Sequence, residues 1–120
     1  MVTPNTIAQA SARFVRMSPQ KSRLVADLIR ERYVGEALTI LRFSEKKKIS
    51  GIIEKVLRSA VANAQQKSPD VDVDNLFVAG IHIDGGPMMK RIRTAPMGRA
   101  YRVVKRTSHV HISLDERKGR

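Results

Sequence analysis

The feature that most constrains this fold is an apolar stripe in the middle of the chain. Residues 45–66 carry apolar side chains at steps of three and four: Ile49, Ile52, Ile53, Val56, Leu57, Ala60, Val61 and Ala64. That spacing is the period of an α-helix with one face directed toward a protein core. Ser44 is a candidate N-cap, Glu45 would stand beside the positive end of the helix dipole, and Pro69 lies beyond the far end. A core helix over residues 45–66 is therefore predicted.

Two shorter helices are predicted before this one. Ser18 and Pro19 favour a helix start, because Ser is a preferred N-cap and Pro loses no hydrogen bond in the first turn. The turns that follow place four apolar residues on one side at helical spacing: Leu24, Val25, Leu28 and Ile29. A further helix over residues 35–43 would direct Ala37, Leu38 and Leu41 inward.

After Pro69 the apolar period changes from the helical value to two. Residues 76–83 alternate as a strand with apolar groups on both faces, and Val110, Ile112 and Leu114 alternate with His109, His111 and Ser113. Residues 9–17 give a weaker strand signal around Phe14 and Val15. Helices followed by strands predict an α+β fold with an antiparallel sheet packed on the helices.

The charge balance favours a polyanionic partner. The 120 residues hold 23 Lys and Arg against 11 Asp and Glu, a net charge of +12. A surplus of this size repels itself in a compact fold, so nucleic acid is the leading candidate partner. An anionic membrane surface and an acidic protein are the alternatives. Cys is absent, no stretch approaches the roughly 20 apolar residues of a membrane span, and the first residues resemble no targeting signal. We therefore expect a cytosolic protein.

Part of this charge is concentrated in a segment free of acidic residues. Residues 85–114 contain no Asp or Glu, and between the two predicted strands stand Lys90, Arg91, Arg93, Arg99, Arg102, Lys105 and Arg106. An isolated two-stranded ribbon is marginal in water, and legs of about ten residues would reach roughly 30 Å. We expect an extended arm held by the phosphates that it binds.

These segments predict one domain over residues 1–120. It would comprise a loose N-terminal tail at 1–8, a globular core at 9–84 and 104–114, a hairpin arm at 85–103 and a C-terminal tail at 115–120.

Catalytic and metal-binding patterns are weak. His109 and His111 form an H-x-H pair, a possible metal half-site with no Cys in the chain to complete it. Asp70, Asp72 and Asp74 lack the glycine and the closing Glu of a calcium loop and are better interpreted as a polar turn. No nucleophile, base and acid can be nominated together, so we expect no enzyme, no cofactor and no metal. The run Lys46, Lys47 and Lys48 is either a solvated surface or the sign of an external anion.

Three blocks of sequence resemble a known family. They are ARFVRMSPQKSRLVADLIR at 12–30, EKVLRSAVANAQ at 54–65, and the pair GPMMKRIR at 86–93 with GRAYRVVKRTSH at 98–109. Together they resemble the bacterial large-subunit ribosomal protein L-twenty-two family, in order over residues 12–114. The resemblance implies three helices packed on a small antiparallel sheet, with a long β-hairpin arm protruding from it.

The resemblance also implies a function. The globular part would contact large-subunit (23S) rRNA and neighbouring ribosomal proteins near the polypeptide exit, and the arm's tip would line the nascent-peptide tunnel, close to where macrolide antibiotics act. The rRNA-binding residues would be Arg13, Arg16, Ser18, Lys21, Arg23, Lys90, Arg91, Arg93, Arg99, Arg102, Lys105, Arg106, Thr107, Ser108 and His109. The tip would comprise Met89, Lys90, Arg91, Thr94, Ala95, Pro96 and Met97.

This chain departs from the family at the tip. Family members often carry a basic P-R-A-(K/R)-G-R pattern there, whereas this chain has TAPMGR at 94–99, which leaves two positive charges absent. The alternative function is a free-standing RNA- or DNA-binding regulator. A nuclease would require the H-x-H pair to hold a metal.

Overall fold

The described part of the chain folds into three α-helices, a three-stranded sheet and a separate hairpin. The structure is a computed structural model that describes residues 7–87, 89–94 and 100–116, with residues 89–94 and 100–105 described by their backbone. The elements in chain order are β1 (Ala8–Val15), α1 (Pro19–Ile29), α2 (Val34–Arg42), α3 (Lys47–Lys67), β2 (Leu76–Gly85), β3 (Met89–Thr94), β4 (Ala100–Lys105) and β5 (Ser108–Glu116).

The helices pack on one sheet of antiparallel strands. Strand β5 lies between β1 and β2 and pairs antiparallel with both. Helix α3 packs across β1 and β5, α1 packs on β2, and α2 contacts α1 and α3. Ile53, Leu57, Ile81, Ile112 and Leu114 are buried between the layers. The predicted α+β fold and the core face of α3 are thus confirmed.

A β-bulge determines which apolar side chains of β2 are buried. Its pairing register with β5 shifts between Val78 and Gly80. The extra residue resets the alternation, so Leu76, Val78, Ile81 and Ile83 all lie on the buried side. The sequence pattern alone had suggested apolar groups on both faces.

The open edge of β2 is covered by the chain that precedes it. Arg23 of α1 and Arg30, the C-cap residue of that helix, donate to edge carbonyls. The Arg23 guanidinium donates to Ile83 O at 3.1 and 3.0 Å, and Arg30 Nη2 donates to Ile81 O at 3.0 Å. The linker at 31–33 adds backbone hydrogen bonds to the same strand. Such covering satisfies carbonyls that would otherwise face solvent.

The predicted core face of α1 is partly wrong. Leu24 and Leu28 are 59% and 53% exposed. The residues of α1 that are buried are Ser22, Val25, Ala26 and Ile29. Two of these are small, which lets α1 approach β2 closely and rotates the two leucines away from the sheet.

The predicted helix caps also differ from the observed ones. Ser18 is the N-cap residue of α1, but its side chain makes no capping hydrogen bond; its carbonyl instead accepts from the backbone N–H and the Oγ of Ser22. Helix α3 begins at Lys47 with Lys46 as its N-cap, so the prediction of Ser44 as cap is wrong. The chain makes a tight turn there, in which the Lys47 N–H donates to Glu45 O at 3.1 Å.

Strands β3 and β4 form the predicted hairpin arm. They pair antiparallel with each other, from Met89 opposite Lys105 to Thr94 opposite Ala100, and constitute a sheet distinct from the three-stranded one. The molecule measures 66 × 26 × 18 Å along its principal axes. This elongation is much greater than a two-layer core of this size requires.

Candidate nucleic-acid interface

The base of the arm is fixed to the core by hydrogen bonds. The Gly86 N–H donates to Thr107 O at 2.9 Å, and Thr107 Oγ1 donates back to Pro87 O at 2.6 Å. Ser108 Oγ donates to Met17 O at 2.8 Å. Thr107 and Ser108 are buried, so their hydroxyl groups hold the arm's base together rather than facing a partner.

The arm carries its predicted basic residues on both legs. Lys90, Arg91 and Arg93 belong to β3, and Arg102 and Lys105 belong to β4. Ala95, Pro96, Met97 and Arg99 were predicted at or beside the tip and lie outside the described residues.

The register of the hairpin separates the predicted tip into two parts. Met89, Lys90 and Arg91 pair with Lys105, Val104 and Val103, at the end of the ladder nearest the core. They therefore lie in a leg, whereas Thr94 closes the described ladder at its far end. A role of these residues toward the nascent chain stays a prediction.

A bulge in β1 presents an aromatic ring close to the arm's base. The pairing of β1 with β5 shifts register between Ala12 and Val15, and Phe14 within it has a φ of 57°. Its N–H donates to His109 Nδ1 at 3.0 Å, and the two rings meet edge to face at 4.9 Å between centroids. The Arg13 guanidinium carbon lies 5.6 Å from the Phe14 centroid. Phe14 is 59% exposed, so aromatic and guanidinium groups are available here to a nucleic acid.

The two histidines of the H-x-H pair are engaged within the protein. His109 Nδ1 accepts the Phe14 N–H. His111 Nδ1 is 2.8 Å from Ser11 Oγ, and its Nε2 is 3.5 Å from Asp84 Oδ2. Within residues 7–87, 89–94 and 100–116, no three His, Cys, Asp or Glu side chains gather where they could hold a metal ion.

The other predicted rRNA-binding residues of the globular part differ in how far their side chains are exposed to a partner. Lys21 and Arg106 are exposed, and Ser18 is half-buried at the start of α1. Arg23 is exposed as well, but its guanidinium donates to Ile83 O, so it contributes to the α1–β2 contact.

A basic cleft lies where the starts of α1 and α3 meet. We define it by its five cations, Arg16, Lys21, Lys46, Lys47 and Lys48, which surround a cavity of about 400 Å³ together with Met17, Ser18 and Ile49. Sequence analysis left the three consecutive lysines undecided and gave no sign that they adjoin Arg16 and Lys21. The contact depends on the packing of two helices that start far apart in the chain.

Within the part of the chain that the structure describes, every helix is too short or too polar to cross a bilayer.

The chain is similar in sequence to known proteins. The family profile described as "Ribosomal protein L22p/L17e" matches residues 10–115. The large ribosomal subunit protein uL22 of Solibacter usitatus is 52% identical over 92% of this chain and 97% of its own length. Those of Desulfotalea psychrophila and Solidesulfovibrio magneticus are 53% and 55% identical over 91% of this chain and 97% of theirs. The chain belongs to the ribosomal protein L22p/L17e family, as the resemblance of its three sequence blocks predicted.

Proposed function

We propose that this chain is a structural constituent of the large ribosomal subunit. In this role it binds large-subunit rRNA, aids assembly of the subunit, and lines the nascent-peptide exit tunnel with the tip of its hairpin. The observation that carries the proposal is that relatives matched along nearly the whole of both chains are named large ribosomal subunit protein uL22.

The charge distribution supports binding to rRNA. The arm, and β5 as far as Leu114, lie in a segment, residues 85–114, without one carboxylate side chain. The backbone of β3 and β4 forms an isolated two-stranded ladder, which is marginally stable in water without further contacts. Phosphate groups around the arm would neutralise its cations and hold both legs in place.

Different residues have different parts in this proposal. The exposed Arg13, Arg16, Lys21 and Arg106 would contact rRNA from the core, with Ser18 and His109 at its edge. The basic residues of the arm would contact it from both legs. Arg23, Thr107 and Ser108 would act indirectly, since their polar groups are bonded to backbone carbonyls of this chain.

Sedimentation of an affinity-tagged chain from bacterial cells tests the proposal. We expect the chain to travel with the large subunit. A charge-reversed arm, Arg102→Glu with Lys105→Glu, should stay near the top of the gradient. The matched control, Lys55→Glu with Lys67→Glu on α3, should still be incorporated. A wild-type chain found only in light fractions would instead favour a free-standing regulator.

The tunnel-lining role is tested separately by a photo-crosslinker at Met97. The neutral residues Thr94, Ala95, Pro96 and Met97 have few charges and few large apolar groups, as suits a wall that varied peptides slide past. Ribosomes stalled with a labelled nascent chain should give a crosslink between this position and the peptide. Crosslinks to rRNA alone would contradict the assignment of the tip.

A further inference from the structure

An apolar groove lies between α1 and the end of α2. We call it the α1–α2 groove, and the apolar side chains that line it are Leu24, Val25, Leu28, Ile40 and Phe43. Its volume is about 430 Å³, and Ser44, Glu45 and Lys46 complete the lining. Leu24, Leu28 and Phe43 are 59%, 53% and 77% exposed. Single exposed apolar residues are ordinary, whereas a cluster of them around one depression is typical of a surface that binds a partner.

The groove is built into the packing of the helices. Val25 is buried in the core, and Ile40 packs against the core. Leu24 and Leu28 are four residues apart on α1, and Ile40 and Phe43 are three residues apart at the end of α2. Residues at these spacings lie on one face of a helix, so each helix contributes one row of apolar side chains. Two such rows with a depression between them match the apolar face of a third helix.

The charge around the groove differs from that of the rest of the chain. Residues 24–45, which contain both rows, hold four of the chain's 11 acidic residues but only three of its 23 basic ones. Glu45 lines the groove, and its carboxylate forms no salt bridge within the described residues. Asp27, between the two leucines of α1, is a second exposed carboxylate and pairs with Arg30. Lys46 lines both this groove and the basic cleft. The segment that builds the groove is therefore slightly acidic in a strongly basic protein.

This charge distinguishes between the partners that apolar surfaces bind. Glu45 and the other acidic residues of the segment would repel the phosphates of RNA and of anionic lipids. Amphipathic surfaces that bind membranes instead carry Lys and Arg beside their apolar face. In a two-fold dimer of this chain, the same acidic surface would meet itself. A partner with its own basic residues is the one that the groove attracts.

The partner's backbone must also suit an apolar groove. A helix satisfies its own backbone hydrogen bonds, so it can lie against apolar side chains without further donors or acceptors, whereas an isolated strand cannot. We infer that the α1–α2 groove binds a helical segment of a protein partner, with apolar residues along one face and Lys or Arg at its ends.

Binding of two synthetic peptides to the purified full chain tests this inference. Both peptides are helical and carry leucines at positions i, i+3, i+4 and i+7; one has lysines at its ends and the other has glutamates. In fluorescence anisotropy, the lysine peptide should bind several-fold more tightly than the glutamate peptide. The net charge of +12 by itself favours the opposite order. Equal binding, or a preference for the glutamate peptide, would overturn the inference.

A pair of variants locates the binding site. Leu24→Gln with Leu28→Gln removes one row of the groove without a change in charge, and both positions are more than half exposed. It should weaken binding of the lysine peptide by about tenfold or more, because the apolar area that the peptide covers is lost. The matched control, Ser59→Gln with Ala62→Gln, places the same side chains at exposed positions of α3 and should bind like the wild type. Thermal melts establish that both variants are folded. Equal affinities of the two folded variants would show that the peptide binds elsewhere.

A photo-crosslinking phenylalanine analogue in place of Phe43 identifies the partner in cells. The control places the same analogue at Ser59 on α3. The cross-linked peptide, sequenced by mass spectrometry, should have apolar residues at helical spacing with Lys or Arg at its ends, and it should be absent from the Ser59 sample. Adducts only with RNA, with lipid, with a second copy of this chain or with an acidic segment would each contradict the inference.

The outcome for the groove is separate from that for the proposed function. If the tagged chain stays out of the large subunit but discriminates between the two peptides as described, the proposed function fails and the groove assignment stands. If the chain enters the subunit but the groove variant binds the lysine peptide as the wild type does, the groove assignment alone fails.

Discussion

At the scale of single residues, Glu31 occupies a conformation that side chains disfavour. It follows the last turn of α1 with a φ of 65°. In this left-handed region the Cβ is crowded by the following carbonyl, whereas glycine is not. Glu31→Gly should therefore raise the free energy of unfolding by about 1 kcal/mol.

Urea denaturation measures this change. Glu31→Gln is the matched control, because it removes the same charge and keeps the Cβ, and it should leave the stability near the wild-type value. A glycine variant less stable than the glutamine variant would mean that the backbone is unstrained at this position.

Ser50 is a second residue whose removal should stabilise the protein. It is 1% exposed, and its Oγ has no hydrogen-bond partner among the described residues. A buried hydroxyl without a partner is destabilising, and alanine is the better helix former. Ser50→Ala should raise the free energy of unfolding by about 1 kcal/mol.

Ser22 provides the comparison for Ser50. It is equally buried, on α1, but its Oγ donates to Ser18 O at 2.7 Å. Ser22→Ala should give no such gain in a thermal or urea melt. A loss of stability in Ser50→Ala would indicate that its hydroxyl is satisfied after all.

At the scale of elements, the turn from β2 into the arm depends on a glycine. A Cβ on Gly86 would lie 2.5 Å from Thr107 Oγ1, which is held by its bond to Pro87 O. Gly86→Ala must displace that hydroxyl and break the bond, so it should destabilise the protein by about 1 to 3 kcal/mol.

A double-mutant cycle with Thr107→Ala isolates this contact. In the Thr107→Ala background the hydroxyl is absent, so the same glycine substitution should cost less, with a coupling of about 0.5 kcal/mol or more. Strict additivity of the two substitutions in urea denaturation would contradict the predicted clash.

The hairpin and the core should differ in local stability. Helix α3 packs on β1 and β5 and has buried residues from Ser50 to Ala64, whereas β3 and β4 form a two-stranded sheet of their own. In the free chain, hydrogen exchange should be slow at Ile53 and Leu57 and fast at Lys90 and Arg93. Addition of rRNA should slow exchange in the hairpin. Equal protection of both regions without RNA would show that the hairpin is stable by itself.

At the scale of the whole molecule, the excess of cations, a net charge of +12, predicts that binding to rRNA weakens as salt is added. If about 6 to 10 phosphates are contacted, affinity for rRNA should fall by roughly 10³ to 10⁵ between about 50 and 200 mM salt. Filter binding over this range measures the effect. An affinity that does not change with salt would argue against phosphate neutralisation as the basis of binding.

The sequence by itself determined the elements whose signal is local. The stripe of α3, Ala37 and Leu41 of α2, and Val110, Ile112 and Leu114 of β5 lie in or against the core as predicted, with Leu38, Ile49, Ile52 and Val61 partly buried against it. Each follows from the fixed period of a helix or a strand, which any one chain segment displays. Ser113 departs from the alternation, because it is buried as well. The family and the arm could also be predicted from the sequence, because the motif KRTSH and the acid-free segment are each an unbroken run of residues.

Only the tertiary structure decided which surfaces face outward and which distant residues meet. The buried face of α1 is the one that carries the small residues Ser22 and Ala26, so Leu24 and Leu28 are exposed. The bulge in β2 opposite β5 determines which of its side chains are buried. The pairing of β3 with β4 determines that Met89 lies in a leg of the arm and not at its tip. The basic cleft likewise required Arg16 and Lys21 to pack beside Lys46 and its neighbours. These features depend on contacts between elements, and the periodicity of one segment does not contain the position of its partner.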